Sequence, residues 1–223
     1  MSRPLGTGRS ADVFEHGPGE VLRRYRRPRD TGREVAAMEH ARAHGYPVPA
    51  ARALNDTDIV MERLDGLTML DDLGRRPWRI DGHAQILATL HRQLHEIEAP
   101  EWLDSPLGPG SSMLHLDLHP DNVMLTARGP FVIDWPNAAR GRGAADVAHT
   151  WIVIACSTPT TGIYRQLLSN IGRRLLLGRF LRRFDRGEIE AELSVAGAYR
   201  LAARTLPDAE LAAIRTLVER ASP

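Results

Sequence analysis

His115-Leu116-Asp117-Leu118-His119-Pro120-Asp121-Asn122, followed by Phe131-Val132-Ile133-Asp134-Trp135, holds the densest cluster of polar residues in this chain of 223. Asp117 and Asn122 stand five residues apart in a segment whose proline, histidines and Asx residues favour a loop. Asp134 follows twelve residues after Asn122, closing an apolar run. Between them, Val123 to Leu125 and Phe131 to Ile133 flank the turn Ala127-Arg128-Gly129-Pro130. That pattern predicts a small hairpin with Asp134 at its end.

Two carboxylates and an amide in this order meet the needs of phosphoryl transfer. One carboxylate accepts the proton of an attacking hydroxyl, while an amide oxygen and a second carboxylate hold magnesium against a triphosphate. Magnesium prefers hard oxygen ligands and keeps several waters, so two protein ligands plus phosphate oxygens suffice. The segment resembles the catalytic loop of the aminoglycoside phosphotransferase and choline kinase-like family, within the protein-kinase-like superfamily. There a His-Gly-Asp-Leu-His-Pro-Gly-Asn loop precedes Ile-Asp-Trp or Ile-Asp-Phe. The match holds at His115, Asp117, Leu118, His119, Pro120, Asn122, Ile133, Asp134 and Trp135, and departs at Leu116 and Asp121, where glycine is commoner. The resemblance implies that Asp117 is the catalytic base and that Asn122 and Asp134 are magnesium ligands. His115 and His119 are read as bracing the loop.

The amino-terminal part supplies a second test. Gly6-Thr7-Gly8-Arg9-Ser10-Ala11-Asp12-Val13 fits Gly-x-Gly-x-x-Gly-x-Val with Ala11 in place of the third glycine. The turn His16-Gly17-Pro18-Gly19 and the run Val21 to Tyr25 make this a hairpin, which favours a kinase-type phosphate loop over a dinucleotide fold. Gly6, Gly8 and Ser10 would approach the phosphates and Val13 would pack over the base. Val21 and Arg23 share a strand face, so Val-x-Arg stands where the family has Val-x-Lys. By resemblance, Arg23 contacts the phosphates and pairs with Glu34, with Glu39 as the fallback. Guanidinium is planar and larger than ammonium, so this exchange is not neutral. Asp30 and Thr31 cap a helix predicted to run to about His44, with Gly45 and Pro47 beyond it. Ala51 to Leu54 and Ile59 to Met61 read as strands. Ile59-Val60-Met61-Glu62-Arg63-Leu64 resembles the segment linking the family's two lobes, where backbone groups at Glu62 and Leu64 would bind the base edge.

After residue 64 the chain turns helical. Short and long helices are predicted at Leu67 to Leu73 and Asp81 to Ile97, then at roughly 145–157, 160–184, 187–206 and 208–221. Asp146 matches a family position that braces the catalytic loop, and reads equally well as a helix cap. The expected fold is therefore α+β and bilobal, protein-kinase-like. A nucleotide-binding lobe over 1–64, with antiparallel strands and one helix, would precede a catalytic and acceptor-binding helical lobe over 65–223, with the active site between them.

Composition excludes several classes. With 29 basic and 28 acidic residues the net charge is +1, without the basic excess of a nucleic-acid protein. No apolar run reaches membrane-spanning length. The start lacks the core of a secretory signal, and the one cysteine, Cys156, forms no internal disulfide; the expected location is the cytoplasm. Every basic residue is Arg and none is Lys. The expected activity moves the γ-phosphoryl group of ATP or GTP, with Mg2+, to a hydroxyl of a small molecule. The arginines of 160–186 (Arg165, Arg173, Arg174, Arg179, Arg182, Arg183) do not favour a strongly cationic acceptor, although Glu188, Glu190 and Glu192 could supply negative charge. Most of these arginines fit a solvated helix face. A non-catalytic nucleotide-binding protein acting through a partner is the alternative, favoured by Arg23 and the compact size and opposed by the intact Asp117, Asn122 and Asp134. A protein kinase would need an activation segment, and only eleven residues separate Asp134 from Asp146.

Overall fold

The computed structural model of the chain describes residues 4–8, 10–157, 170–203 and 206–221. Arg9 and Arg165 lie outside the described residues, as does the first part of the helix expected over 160–184. The chain divides into two compact units, Met1–Gly66 with Met124–Ala138, and Leu67–Val123 with Ala139–Pro223. The hairpin carrying Asp134 therefore belongs with the first unit, although it lies beyond residue 64 in sequence.

In the first unit, β1 (Gly6–Thr7), β2 (Ala11–Gly17), β3 (Glu20–Tyr25), β4 (Ala51–Ala53) and β5 (Asp58–Glu62) form one antiparallel sheet in the order β1-β2-β3-β5-β4. The turn at Gly17 and Gly19 sets Val13 opposite Arg23. Helix α1 (Thr31–Ala43) starts where the Asp30 side chain accepts from the Arg33 amide at 2.8 Å. It stops before Gly45, whose φ of 78° no β-carbon residue adopts cheaply. Val35, Ala37, Met38 and Ala41 of α1, with Ile59 and Val60 of β5, are buried. Strand β6 (Gly66–Thr68) comes next in sequence. The predicted hairpin is present as β8 (Val123–Thr126) and β9 (Gly129–Val132), after a short β7 (Ser112–Leu114). Gly129 and Pro130, expected in the turn, open β9, and the strand ends at Val132, which leaves Ile133 and Asp134 beyond it. The Val132 amide donates to the Pro47 carbonyl at 2.8 Å, and the Trp135 ring stands edge-on to Tyr46 at 5.8 Å. These contacts dock the hairpin end in this unit.

The second unit is helical: α2 (Met69–Arg75), α3 (Ile80–His95), α4 (Gly143–Cys156), α5 (Asn170–Leu181), α6 (Arg186–Leu201) and α7 (Asp208–Ala221). In α3, Leu87, Leu90 and Leu94 recur on one helix face and are buried. Helix α6 ends five residues before the expected 206. Strand β7 pairs with β10 (Ala139–Gly141); neither is predicted from the sequence, since both are three residues long and leave no readable alternation. Leu107, Leu114, Leu116, Ala139 and Ala145 form a buried cluster around this pair. At Gly143 a β-carbon would come within 2.5 Å of the His95 ring, so the glycine lets α4 start against α3.

Candidate active site

Asp117 and Asn122 lie on one tightly held loop of the second unit. A single 3-10 turn (Pro120–Asn122) follows His119, whose ring nitrogen Nδ1 accepts from the Asp121 amide at 3.3 Å. His119 thus closes the turn. The Asn122 side-chain nitrogen donates to the Asp117 carbonyl at 2.9 Å. With that nitrogen occupied, the amide oxygen is the Asn122 atom available to a cation. The Asp117 carboxylate stays 21% exposed, with His119 Nε2 at 3.6 Å and Arg200 NH1 at 3.8 Å from its Oδ1.

Leu116 takes the left-handed φ of 55° and is buried, which explains why glycine is the commoner choice there. Asp146 holds the strained segment. Its carboxylate accepts from the Leu116 amide at 2.9 Å and the His115 amide at 3.3 Å, and meets His95 Nε2 at 3.0 Å. The cap position of α4 is Arg142, so Asp146 acts as a brace and not as the helix cap. Burial alone would raise its carboxyl pKa, but the His95 hydrogen bond and the nearby imidazoles hold it below the usual carboxylate range. A second brace runs from Thr150, whose hydroxyl donates to the Leu118 carbonyl at 3.0 Å and lies 3.0 Å from His91 Nε2.

In the first unit, Arg23 is gripped from two sides, by Glu34 at 3.3 Å and by Asp134 Oδ1 at 2.5 Å. Tyr25 donates to the other Glu34 oxygen at 2.6 Å and lies under the guanidinium, 4.8 Å from its ring centre. Burial opposes the Arg23 charge, yet Asp134 and Glu34 outweigh it and raise the guanidinium pKa. Burial pushes the Glu34 carboxyl up, against the pull of Arg23 and the Tyr25 hydrogen bond. Glu39 is exposed and takes no part. Asp134 itself has φ 69°, a left-handed angle outside glycine. Such strain persists where surroundings over-determine it.

Strands β1 and β2 pair antiparallel, with Gly6 opposite Val13 and Thr7 opposite Asp12. The Leu5 amide donates to Val13 and the Gly8 amide to Ala11, at 2.7 and 2.8 Å. A β-carbon at Gly8 would come within 3.2 Å of the Ala11 carbonyl, and Ser10 is exposed. The Glu62 amide donates to the Ala50 carbonyl at 2.8 Å. The Glu62 carboxylate pairs with Arg128. Leu64 lies two residues past the end of β5.

Arg200, absent from the sequence reading, reaches Asp117 from the last turn of α6. It looks like any arginine complementing a helix end. Of the arginines read as a solvated face, Arg179 pairs with Asp81 at 2.9 Å and Arg173 donates to the Ala155 carbonyl at 3.0 Å. Glu190 pairs with Arg186 and Glu192 with Arg142, at 2.7 and 2.6 Å.

The hard oxygens of Asn122 and Asp134 suit Mg2+. Among the described residues no group of three or more His, Cys, Asp or Glu could hold a metal ion. No helix among the described residues is long and apolar enough to cross a membrane.

A family model described as the phosphotransferase enzyme family matches residues 2–112 and 93–187. No curated protein sequence matches the chain. Similar solved structures include a choline/ethanolamine kinase family protein from Mesorhizobium loti, at 15% identity over 98% of this chain and 86% of that one, TM-score 0.62. A thermostable mutant of aminoglycoside phosphotransferase APH(4)-Ia, in a ternary complex with ADP and hygromycin B, matches at 14% identity over 98% and 92%, TM-score 0.63. The Plasmodium vivax ethanolamine kinase matches at 12% identity over 95% and 80%, TM-score 0.57. The shared feature is the kinase-like α+β fold expected above.

Proposed function

The chain belongs to the phosphotransferase enzyme family, and from that premise we propose that it moves the γ-phosphoryl group of ATP or GTP to a hydroxyl of a small molecule. The observation that carries this reading is the locked Asp117–Asn122 loop, in which the Asn122 nitrogen is tied to the Asp117 carbonyl at 2.9 Å while the Asp117 carboxylate stays accessible. Asp117 takes the proton of the acceptor hydroxyl as that oxygen bonds to the γ-phosphorus and the bond to the β–γ bridging oxygen breaks. Asn122 Oδ1 and the Asp134 carboxylate would hold Mg2+, which when bound would neutralise charge on the phosphates. In the nucleotide-binding lobe, Gly6, Gly8 and Ser10 would let the backbone approach the phosphates, and Val13 and the backbone at Glu62 and Leu64 would hold the base. Arg23, oriented by Glu34, binds phosphate through its planar fork.

One observation favours a second reading, a nucleotide-binding protein without catalysis. The Arg23 guanidinium sits on the Asp134 carboxylate at 2.5 Å, and that carboxylate is the one assigned to magnesium. Magnesium-dependent nucleotide turnover by the purified protein separates the two. Asp117→Ala should lower it about 10²–10⁴-fold; equal rates would favour the non-catalytic reading.

A further inference from the structure

Asp117 does not face its surroundings alone. Arg200 lies 3.8 Å away through NH1, and its other terminal nitrogen, NH2, pairs with Glu210 Oε1 at 3.0 Å. The Arg200 side chain is 13% exposed and that of Glu210 is fully buried. Glu210 thus turns one edge of the guanidinium away, and NH1, which makes no hydrogen bond among the described residues, is left toward the reactive carboxylate. The Arg200 Nε also lacks a partner among the described residues. His149 stands in the same neighbourhood, buried, with neither ring nitrogen partnered among the described residues. Burial pushes its pKa down to about 4, so it adds no positive charge near neutral pH. The acids on α6 that could soften the field are engaged or turned outward: Glu190 holds Arg186, Glu192 holds Arg142, and Glu188 is exposed in the first turn.

We propose that the hydroxyl acceptor carries an anionic group, a carboxylate or a phosphate, a few bonds from the reacting hydroxyl, and that Arg200 binds it. This rests on the phosphotransferase reading, because it takes Asp117 as the place where the hydroxyl sits. Once the hydroxyl occupies Asp117, any charged group on the acceptor must lie beside that carboxylate and not on it. The guanidinium's own share of the interaction with a unit charge about 5 Å away, at an effective dielectric of about 20, is on the order of a hundredfold in affinity, and Glu210 and Asp117, both against that guanidinium, offset much of it. The guanidinium repels an ammonium there, while a carboxylate or phosphate meets NH1, the terminal nitrogen that makes no hydrogen bond among the described residues.

The test uses matched small alcohols with the full-length protein, nucleotide and Mg2+: glycerate for a carboxylate, glycerol 3-phosphate for a phosphate, ethanolamine for an amine and propanediol as neutral control. An anionic alcohol should exceed ethanolamine in kcat/KM by about tenfold or more, and the better arm identifies which anion the site takes. Arg200→Ala alone would leave the buried Glu210 charge unpaired and threaten folding, so the test variant is the double R200M/E210Q, checked for a folded state by its thermal melt. It should raise KM for the anionic acceptor far more than it lowers kcat, and erase the preference over ethanolamine. Arg200→Lys should restore part of that preference; a merely structural Arg200 would change stability and leave acceptor charge preference alone. Equal or better transfer to ethanolamine or propanediol overturns the inference and leaves the phosphotransferase reading standing. Asp117-dependent nucleotide hydrolysis that neither anionic alcohol accelerates also overturns it. No Asp117-dependent turnover in any arm defeats the parent reading itself.

Discussion

Two loops of this chain each hold one non-glycine residue in a left-handed conformation, and they do so by opposite means. Leu116, at φ 55°, is held by the buried Asp146 carboxylate, which reaches the backbone amides of His115 and Leu116. Asp134, at φ 69°, is held by its own side chain, which Arg23 grips while a third of it remains exposed. The first hold bonds to main chain in a dry interior and leaves nothing for a ligand to displace. The second bonds to a carboxylate proposed to receive a cation, so it is exchangeable by construction. The contrast separates a permanent brace from a contact that ligand binding would remake.

The largest expected effect breaks the brace. Asp146→Ala leaves two buried backbone amides without their acceptor and strips His95 of its partner, at a cost of about 3–5 kcal/mol. Denaturant melts check this; a loss below about 1 kcal/mol would show that the loop holds itself.

Acid should test the buried interior next. Burial pushes His91 and His149 from an ordinary 6.5 down to about 4. Between those values the unfolded chain binds more protons than the folded one. Stability is therefore whole above pH 6.5 and falls as pH drops toward 4, by a few kcal/mol per imidazole. Urea melts at intervals from pH 7 to 4.5 should show this slope, and a flat profile would mean the rings are solvated or satisfied when charged.

The exchangeable contact should be milder. Arg23→Lys keeps the charge but cannot grip Glu34 and Asp134 as a planar fork, and should cost about 1–2 kcal/mol. If Arg23 and magnesium share Asp134, the lysine variant should also bind nucleotide with a weaker requirement for high magnesium. Unchanged magnesium dependence in a nucleotide titration would show that the two do not compete.

The smallest effects concern the two departures from the family loop. Leu116→Gly relieves about 1 kcal/mol of backbone strain and forfeits about 2 kcal/mol of apolar burial, a net loss of about 1 kcal/mol in a thermal melt. Asp121 is exposed and engaged through its backbone amide, so Asp121→Gly should stay within about 0.5 kcal/mol. A large loss there would reveal a role for its carboxylate.

Much of this was legible because its signals are local. The turn at Gly17 and Gly19, the Asp30 cap and the β8–β9 hairpin announce themselves within a few residues. Asp146 was not decidable from sequence, since an early-helix aspartate looks the same whether it caps its own helix or accepts from a loop 30 residues away. Strands β7 and β10 were hidden because three residues show no alternation, and β9 starts two residues before its expected limit because Pro130 reads as a turn. Arg200 was invisible for a different reason. It sits 83 residues after Asp117, in a helix whose own pattern assigns it to the surface.

By itself, the amino-acid order determined which chemical groups are present, their spacing along the loop and the local elements that carry them, because short-range sterics and turn propensities act between near neighbours. Tertiary packing alone decided which charge stands beside Asp117 and which carboxylate restrains Leu116. Those pairings depend on helix placement and desolvation, to which no window of neighbouring residues is sensitive.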